Sequence, residues 1–502
     1  MRPRRLSPRA DPAPLPPRRR VRVNVDGRSI DAVEGEPLAV ALLAAGRPIL
    51  SRSFRFHRPR GLMCDTGQCG WCECEVDGRP SVRSCQVPVR DGLVVRSEHA
   101  WPSADRDLLG LLDVGSRLVP PTFYHHRFLR PRRLRKRYLD VIRGFGGRGR
   151  LPVTRPSKAR SRVARDVEVG VLVVGAGRSG LAAAEDAAGR GARVMLLEPV
   201  PGRARPRHPD IRFLEGAAAI GWYDGVVTAI DDSTLWSIRA DAVIAATGTY
   251  ERIPTVRGAD RPGVMGARRL VDMVERHQVL SGERALLVGD ASDLEAAAGV
   301  LREAGAEVVE RVPTPSLRRV LGRREVTGAV VIGDDGAARR LDVDLVVVGD
   351  RTPNLDLVLA AGAAVQWRDG VLVPVLDETG RSSVPALSVV GSATGHGKHA
   401  APMVAAARAL VCFCEDVHAD EIRAQVSGGY GDPELVKRRT GALTGPCQGK
   451  YCLQAFCAVL ADAAGADAIT AGSMQGAPTT ARPPLRPIRL GDLVATEETV
   501  EA

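Results

Sequence analysis

VGVLVVGAGRSGLAAAEDAAGRGARVMLLE, residues 169–198, decides the reading of this chain. An apolar run leads into Gly175-x-Gly177-x-x-Gly180, an alanine-rich segment of helical character follows, and a second apolar run ends on Glu198. Strand, glycine turn, helix and an acid about 20 residues on are the parts of a dinucleotide site. Gly175 permits the tight turn, Gly177 lets backbone approach a pyrophosphate, and Gly180 lets helix lie against strand. Glu198 is placed to accept hydrogen bonds from an adenosine ribose. A glycine turn with no ligand is the plain alternative, and the surrounding strand, helix and acid argue against it.

Working outward, ADAVIAATGTYERIP (240–254) supplies an apolar strand ending in Thr247-Gly248, and ALSVVGSATGHG (386–397) supplies another ending in Gly391-Ser392. Both resemble the closing motifs of flavoproteins with two dinucleotide-binding domains, which implies that they pass near the pyrophosphate and flavin. Between them RALLVGDASDLEAAAGVLREAGAEVV (284–309) is a second Rossmann-like unit. Its second and third glycines are replaced by Ala291 and Leu294, and Asp290 and Asp293 bring negative charge to a phosphate position. This unit reads as structural, since like charges weaken NAD(P) binding.

The ten cysteines fall into two sets, Cys64 to Cys85 and Cys412 to Cys457. In GLMCDTGQCGWCECEVDGRPSVRSC (61–85), Cys64, Cys69 and Cys72 stand at C-x4-C-x2-C with Cys85 as a distant fourth, the plant-type 2Fe-2S spacing. A structural zinc site is the alternative, but zinc ribbons pair C-x2-C with C-x2-C. Upstream, VRVNV (21–25), the turn Asp26-Gly27, a strand at 29–33 and the helix-like PLAVALLAAG (37–46) read as the opening of a β-grasp domain. Near the other end, Cys412 and Cys414 form C-x-C before one helical segment, and Cys447 and Cys452 form C-x4-C before another. This layout resembles the bacterioferritin-associated ferredoxin (BFD) fold, which implies a second 2Fe-2S cluster, with zinc or an empty thiol site as alternatives. Cys74 and Cys457 read as buried small hydrophobes.

Nearly the whole chain resembles the α-type subunit of heteromeric sarcosine oxidase and of the proline, hydroxyproline and opine dehydrogenases. The resemblance is carried by RSFRFHRPRG (52–61), WPS (101–103) through PTFYHHRFLRP (121–131), ATGTYERIP with RPGVM (246–265), GPCQGKYC (445–452) and RPPLRPIRLGDL (482–493). It implies FAD in the core, with NAD in the same site as the alternative known in sarcosine oxidase α chains. It also implies substrate oxidation at the FAD of a separate β-type subunit. The aminomethyltransferase-like domain of full-length α chains is expected to be absent. Two departures bear on the nucleotide: PVPGRARPRHPDIRF (199–213) leads almost directly from Glu198 to the next strand, and Ser392 stands where many flavoproteins have Asp.

The expected architecture is a multidomain α/β chain. It comprises a basic, proline-rich disordered tail (1–20), a 2Fe-2S β-grasp domain (21–100) and a basic connector (101–165). An FAD-binding domain of the Rossmann-like, disulfide-reductase type (166–283 and 342–405) holds an inserted degenerate NAD(P)-like domain (284–341). A small helical BFD-like 2Fe-2S domain (406–465) and a C-terminal tail (466–502) complete it. The expected function is electron transfer in an amine or amino-acid dehydrogenase or oxidase, with a stand-alone NAD(P)H-dependent flavin and iron-sulfur reductase as the alternative.

The bulk numbers fit this reading. Aromatic content of 4% beside 53 glycines and 35 prolines suits nucleotide loops and connectors better than a base-stacking surface. The net charge of +12 concentrates in the N-terminal tail and in HRFLRPRRLRKRYLDVIRGFGGRGR (126–150), which reads as a connector and not as a nucleic-acid site. No apolar run of about 18 residues is present, the basic N-terminus lacks an apolar segment, and clustered cysteines suit a reducing compartment. The expectation is therefore a cytoplasmic protein. No catalytic constellation is expected here, with His57, His125, His126 and His277 read as structural or surface residues.

Overall fold

The computed structural model describes residues 3–6, 19–64, 66–115, 119–122, 131–146, 162–202, 205–290, 292–368, 370–395, 408–464, 479, 481–493 and 495–497. In the strand Arg20–Val25 apolar and polar residues alternate, so Val21, Val23 and Val25 face inward while the arginines face water. The turn at Asp26 and Gly27, both at positive φ, folds it back on Arg28–Val33. Val94–Ser97, Glu73–Val76 and Arg79–Arg83 complete a five-stranded sheet. The helix Leu38–Ala44 packs on it with Leu38 to Leu43 all buried.

The central sheet has eight strands. Arg162–Val174 lies at its middle, parallel to Val194–Glu198 on one side and Thr234–Ala245 on the other. Arg212–Glu215 adds the outer parallel strand, so only a short loop separates Glu198 from the next strand. Ala218–Tyr223 and Val226–Ile230 form an antiparallel arm, and Leu387–Val389 pairs with Val243 to Ala245. The continuous burial of Val194–Glu198 is that of a strand covered on both faces.

A second parallel sheet runs Val264–Gly266, Leu345–Val348, Arg284–Val288, Glu307–Val312. It therefore draws strands from both sides of 284–341, since the three-residue Val264–Gly266 and four-residue Leu345–Val348 are too short to show a period. The antiparallel pair Thr249–Glu251 and Arg351–Pro353 carries the chain into and out of this unit. Beyond it, a hairpin of Leu410–Cys412 with Val417–His418 precedes three helices, Ala419–Ser427, Pro433–Thr440 and Leu453–Ala464.

Both ends of the chain are stitched to this frame. Arg4–Arg5, within the stretch read as a tail, pairs with Val279–Leu280, and Arg5 bonds Glu36 at 3.0 Å. Ala495–Glu497 pairs with Arg162 to Ala164, Leu485 enters the core of the central sheet, and Arg162 bonds Asp492 at 2.5 Å. One apolar core contains Met63, Cys64 and Trp71 from the front domain, Leu286 and Val346 from the second sheet, and Phe413 and Phe456 from the C-terminal helices. Among the described residues no helix is long and apolar enough to cross a membrane.

Candidate functional site

Three loops converge at the ends of the central strands. Gly175 has φ +107°, and a Cβ there would collide with the Ala246 carbonyl. A Cβ on Gly180 would collide with the Gly175 carbonyl and stand 2.9 Å from Ala246 Cβ. At Gly177 a Cβ would meet nothing within 4 Å, and the same holds at Gly248. Two glycines are thus consumed by packing, while Gly177 and Gly248 border open space where backbone can approach a ligand. The helix Arg178–Gly189 begins at Gly177 with no side-chain cap, so its first N–H groups face that space with the positive end of the helix dipole. Gly391 closes against Ser179, since a Cβ would stand 2.8 Å from Ser179 Cβ, and Ser392 is exposed beside it. Thr247 donates through Oγ1 to the Asn354 carbonyl at 2.8 Å. These features fit a dinucleotide.

Glu198 has a second task here. Its carboxylate accepts the Ala176 and Val200 N–H groups, each at 2.9 Å, and so braces the glycine loop. Arg486 was not among the residues singled out from sequence. Burial lowers its pKa, and Tyr250, Arg83 and Glu198 lie close enough to act on it electrostatically. The Leu485 N–H bonded to the Ile220 carbonyl at 2.7 Å anchors its segment.

If Gly180 and Gly177 divide their roles this way, substitution should separate them. Gly180→Ala is expected to cost about 2 kcal/mol or more through overpacking and to expel the nucleotide. Gly177→Ala should unfold within about 0.5 kcal/mol of the parent yet retain less nucleotide after gel filtration. Thermal unfolding and adenine absorbance of the filtered protein check both.

The cysteines assemble into two quartets. Cys64 lies against Cys69 and Cys72 against Cys85, and Cys72 feels the charge of Cys64. The interaction with Cys69 pulls the Cys64 thiol well below its ordinary range and pushes Cys69 well above it. In the other set, Cys447 lies against Cys414 and Cys452, and Cys452 against Cys412. Among the described residues no three His, Cys, Asp or Glu side chains gather round a single-ion position. The front quartet offers two pairs of soft donors, which matches a two-iron centre in which each iron takes two thiolates. The residues fit 2Fe-2S clusters.

The two remaining cysteines lie apart. Cys74 is buried on the strand Glu73–Val76, and burial pushes the Cys457 thiol up to about 12. Cys457→Ala should leave iron and acid-labile sulfide per chain unchanged, as colorimetric assay of both would report.

A tyrosine pair connects cleft and quartets. Tyr250, two residues beyond Gly248, donates to Asp356 at 2.6 Å and lies 3.3 Å from Gln68 Oε1 in the cysteine loop. Its ring is 5.5 Å from that of Tyr451, which neighbours Cys452 and whose hydroxyl lies 3.3 Å from Thr66. A cavity of about 240 Å³ opens beside Tyr250, Asp356 and Lys450. That is below the ordinary ligand-pocket range of about 300–1,000 Å³, so it is not the seat of a whole dinucleotide.

In the second unit, an acid fills the phosphate position from within. Gly289 has φ +115°, and a Cβ there would strike the Asp350 carboxylate, which accepts the Asp290 N–H. Thr314 also donates to Asp350, whose pKa is raised by burial. Asp293 is held by Arg268 at 2.9 Å and Arg351 at 3.3 Å. His57 is buried with Nδ1 2.9 Å from Asp107, and His277 lies 3.8 Å from Asp272. His125 and His126 are outside the described residues.

A cysteine-bearing β-grasp domain followed by a two-sheet nucleotide core defines a multidomain α/β protein with a 2Fe-2S module at its front. Residues 18–100 match the family described as the 2Fe-2S iron-sulfur cluster binding domain, and residues 406–497 match the sarcosine oxidase A3 domain. Over most of its length the chain is similar to the sarcosine oxidase alpha subunit. It is 28% identical to that subunit from Rhizobium meliloti (strain 1021), over 93% of this chain and 57% of the relative. It is 25% identical to the one from Corynebacterium sp. (strain P-1), over 65% of this chain and 34% of the relative. It thus spans little more than half the first relative and about a third of the second. The crystal structure of L-proline dehydrogenase from P. horikoshii shares the fold, with a TM-score of 0.67 and 19% identity, covering 95% of this chain and 98% of that one.

Proposed function

We propose that this chain is the electron-transfer subunit of a heteromeric, FAD-dependent dehydrogenase acting on a secondary amine or amino acid of the sarcosine, proline, hydroxyproline or opine kind. The observation that carries the reading is the adjacency of two thiol quartets to one dinucleotide cleft, with Tyr250 touching both neighbourhoods. A flavin takes up two electrons together and an iron-sulfur cluster passes them singly, so the combination converts amine oxidation into one-electron transport.

The residues divide the work. Gly175, Gly177, Gly180, Thr247, Gly248, Gly391 and Ser392 would shape the FAD cleft, with Glu198 holding the adenosine ribose. Cys64, Cys69, Cys72 and Cys85 hold one cluster, and Cys412, Cys414, Cys447 and Cys452 the other. The domains follow the boundaries given above, with the inserted unit widened to take in Val264–Gly266 and Leu345–Val348, and with Arg4–Arg5 and Ala495–Glu497 moved from the tails into the sheets they pair with. C–N oxidation belongs to a β-type FAD subunit, whose imine product water hydrolyses. If molecular oxygen were the acceptor, clusters would be superfluous, so a quinone, carrier protein or dye is the expected acceptor. A reducing cytoplasm keeps the eight ligand thiols available for iron.

The test is co-expression with the neighbouring β-type subunit, anaerobic purification, and assay of dye reduction with sarcosine, proline, hydroxyproline and an opine. Substrate-dependent bleaching of flavin and cluster absorbance supports the proposal. Stoichiometric hydrogen peroxide with cluster-ligand variants fully active would overturn it. Bleaching by NADH alone would favour the stand-alone reductase, which Asp350 in the second unit argues against.

A further inference from the structure

The two thiol quartets are more than 300 residues apart in the chain, yet their loops are packed against each other. Cys414 Sγ lies 3.9 Å from the carbonyl oxygen of Cys69, so a ligand candidate of one quartet touches the backbone of a ligand candidate of the other. Beside this contact the Trp71 and Phe413 rings meet edge to face at 5.5 Å. Cys69, Trp71 and Phe413 are each 3% exposed, so no water layer separates the loops at this point.

The approach is held by specific residues. Arg83 donates to the Gly67 carbonyl at 2.6 Å and to the Pro446 carbonyl at 2.9 Å, one from each cysteine loop. Gly70, at φ +72°, has no Cβ, and one would stand 2.9 Å from Pro446 Cβ. Arg60 reaches from the front domain to the Phe413 carbonyl at 2.9 Å and to Asp416 at 2.7 Å. Arg83 also pairs with Glu73 at 3.7 Å, so one buried guanidinium fastens both cysteine loops to the front sheet.

We infer that the Cys69–Cys414 contact is an electron junction joining the two cluster sites into a single coupled pair, with Arg83 as its positioning residue. The inference rests on the reading that both quartets hold 2Fe-2S clusters. In the exchange, one cluster loses one electron and is oxidised while the other gains it and is reduced. No bond or proton moves, since the ligands are thiolates throughout.

The experiment is electron paramagnetic resonance of the anaerobically purified full chain, reduced by dithionite, beside Cys72→Ser, Cys452→Ser and Arg83→Gln. Each ligand variant should show one simple, unsplit signal and about half the iron, two irons being lost with one cluster. The parent, with both clusters reduced, should show a split or broadened spectrum that is not the sum of those two signals. Arg83→Gln should keep its full iron and sulfide while losing splitting, a readout that a purely structural role would not move. A parent carrying the iron of two clusters whose spectrum equals the sum of the two variant signals would overturn the junction. Absence of iron and sulfide from either quartet would instead overturn the cluster assignment beneath it.

Discussion

Cys72→Ser should remove about half of the iron and inorganic sulfide and slow amine-dependent dye reduction by roughly a hundredfold or more. Loss of a second-shell partner alone costs about 10–100-fold at metal centres, and loss of a thiolate ligand exceeds that. The Cys72 thiol lies against Cys85, which sits in the turn Ser84–Gln86. Serine oxygen is a poorer partner for iron than sulfur, so the site on this side of the front quartet fails first. The C-terminal quartet shares no ligand with it and should keep its iron. Iron and sulfide assay, visible absorbance and steady-state dye reduction read the outcome, and full iron with unchanged turnover would count against the assignment.

Arg60→Ala should destabilise the protein by about 3–5 kcal/mol, the range for removing one partner of a buried ion pair. Arg60 is 2% exposed and pairs with Asp260, which is 1% exposed, and with Asp416, which is fully buried. Arg58 also donates to Asp260 through two bonds of 2.8 Å. Removing Arg60 takes away the guanidinium paired with Asp416 Oδ1, leaving that buried carboxylate with the Phe56 N–H at Oδ2, and weakens the tie between the front domain, the core and the C-terminal hairpin. Burial alone would raise the Asp260 pKa, but Arg58, Arg60 and Arg261 outweigh it and hold the carboxyl well below its usual range. A depressed carboxylate stabilises the folded state fully above its unfolded value of about 3.9 and loses that contribution as pH falls toward the folded value. Stability should therefore decline on the acid side, and Asp260→Asn should flatten that decline while lowering stability near neutrality. Thermal melts across pH measure both.

What could be read from sequence alone was whatever depends on local spacing. Cys64, Cys69 and Cys72 lie in one loop, and Gly175, Gly177 and Gly180 in one turn, so their geometry follows from neighbours in the chain. The convergence of Cys69 with Cys414 had no such signal, because it depends on the packing of three units round a shared core. Nor did the Arg60, Asp260 and Asp416 cluster, although RSFRFHRPRG marked the segment that supplies Arg58 and Arg60. Asp350 was missed because the loss of glycines at Ala291 and Leu294 drew attention to Asp290 and Asp293, while the acid that fills the loop comes from the end of a strand about 60 residues downstream. Arg486 lay inside RPPLRPIRLGDL, a segment first read as tail. The strand Ala495–Glu497 just beyond it proved to be part of the central sheet, a role too brief at three residues to leave a periodic pattern.

The burial of the sulfurs has a consequence for how the protein is made. Cys64, Cys69, Cys72 and Cys85 are each no more than 6% exposed, and Cys412, Cys447 and Cys452 no more than 4%. Once Arg60 and Arg83 have fastened the loops together, Cys414, which is part-exposed, is the member of the two quartets left open to solvent. Iron delivered before the front and C-terminal modules dock would reach the other seven sulfurs, and closure would then enclose it. Maturation in the cell would then be a matter of timing, with metal delivery required before the last domains dock.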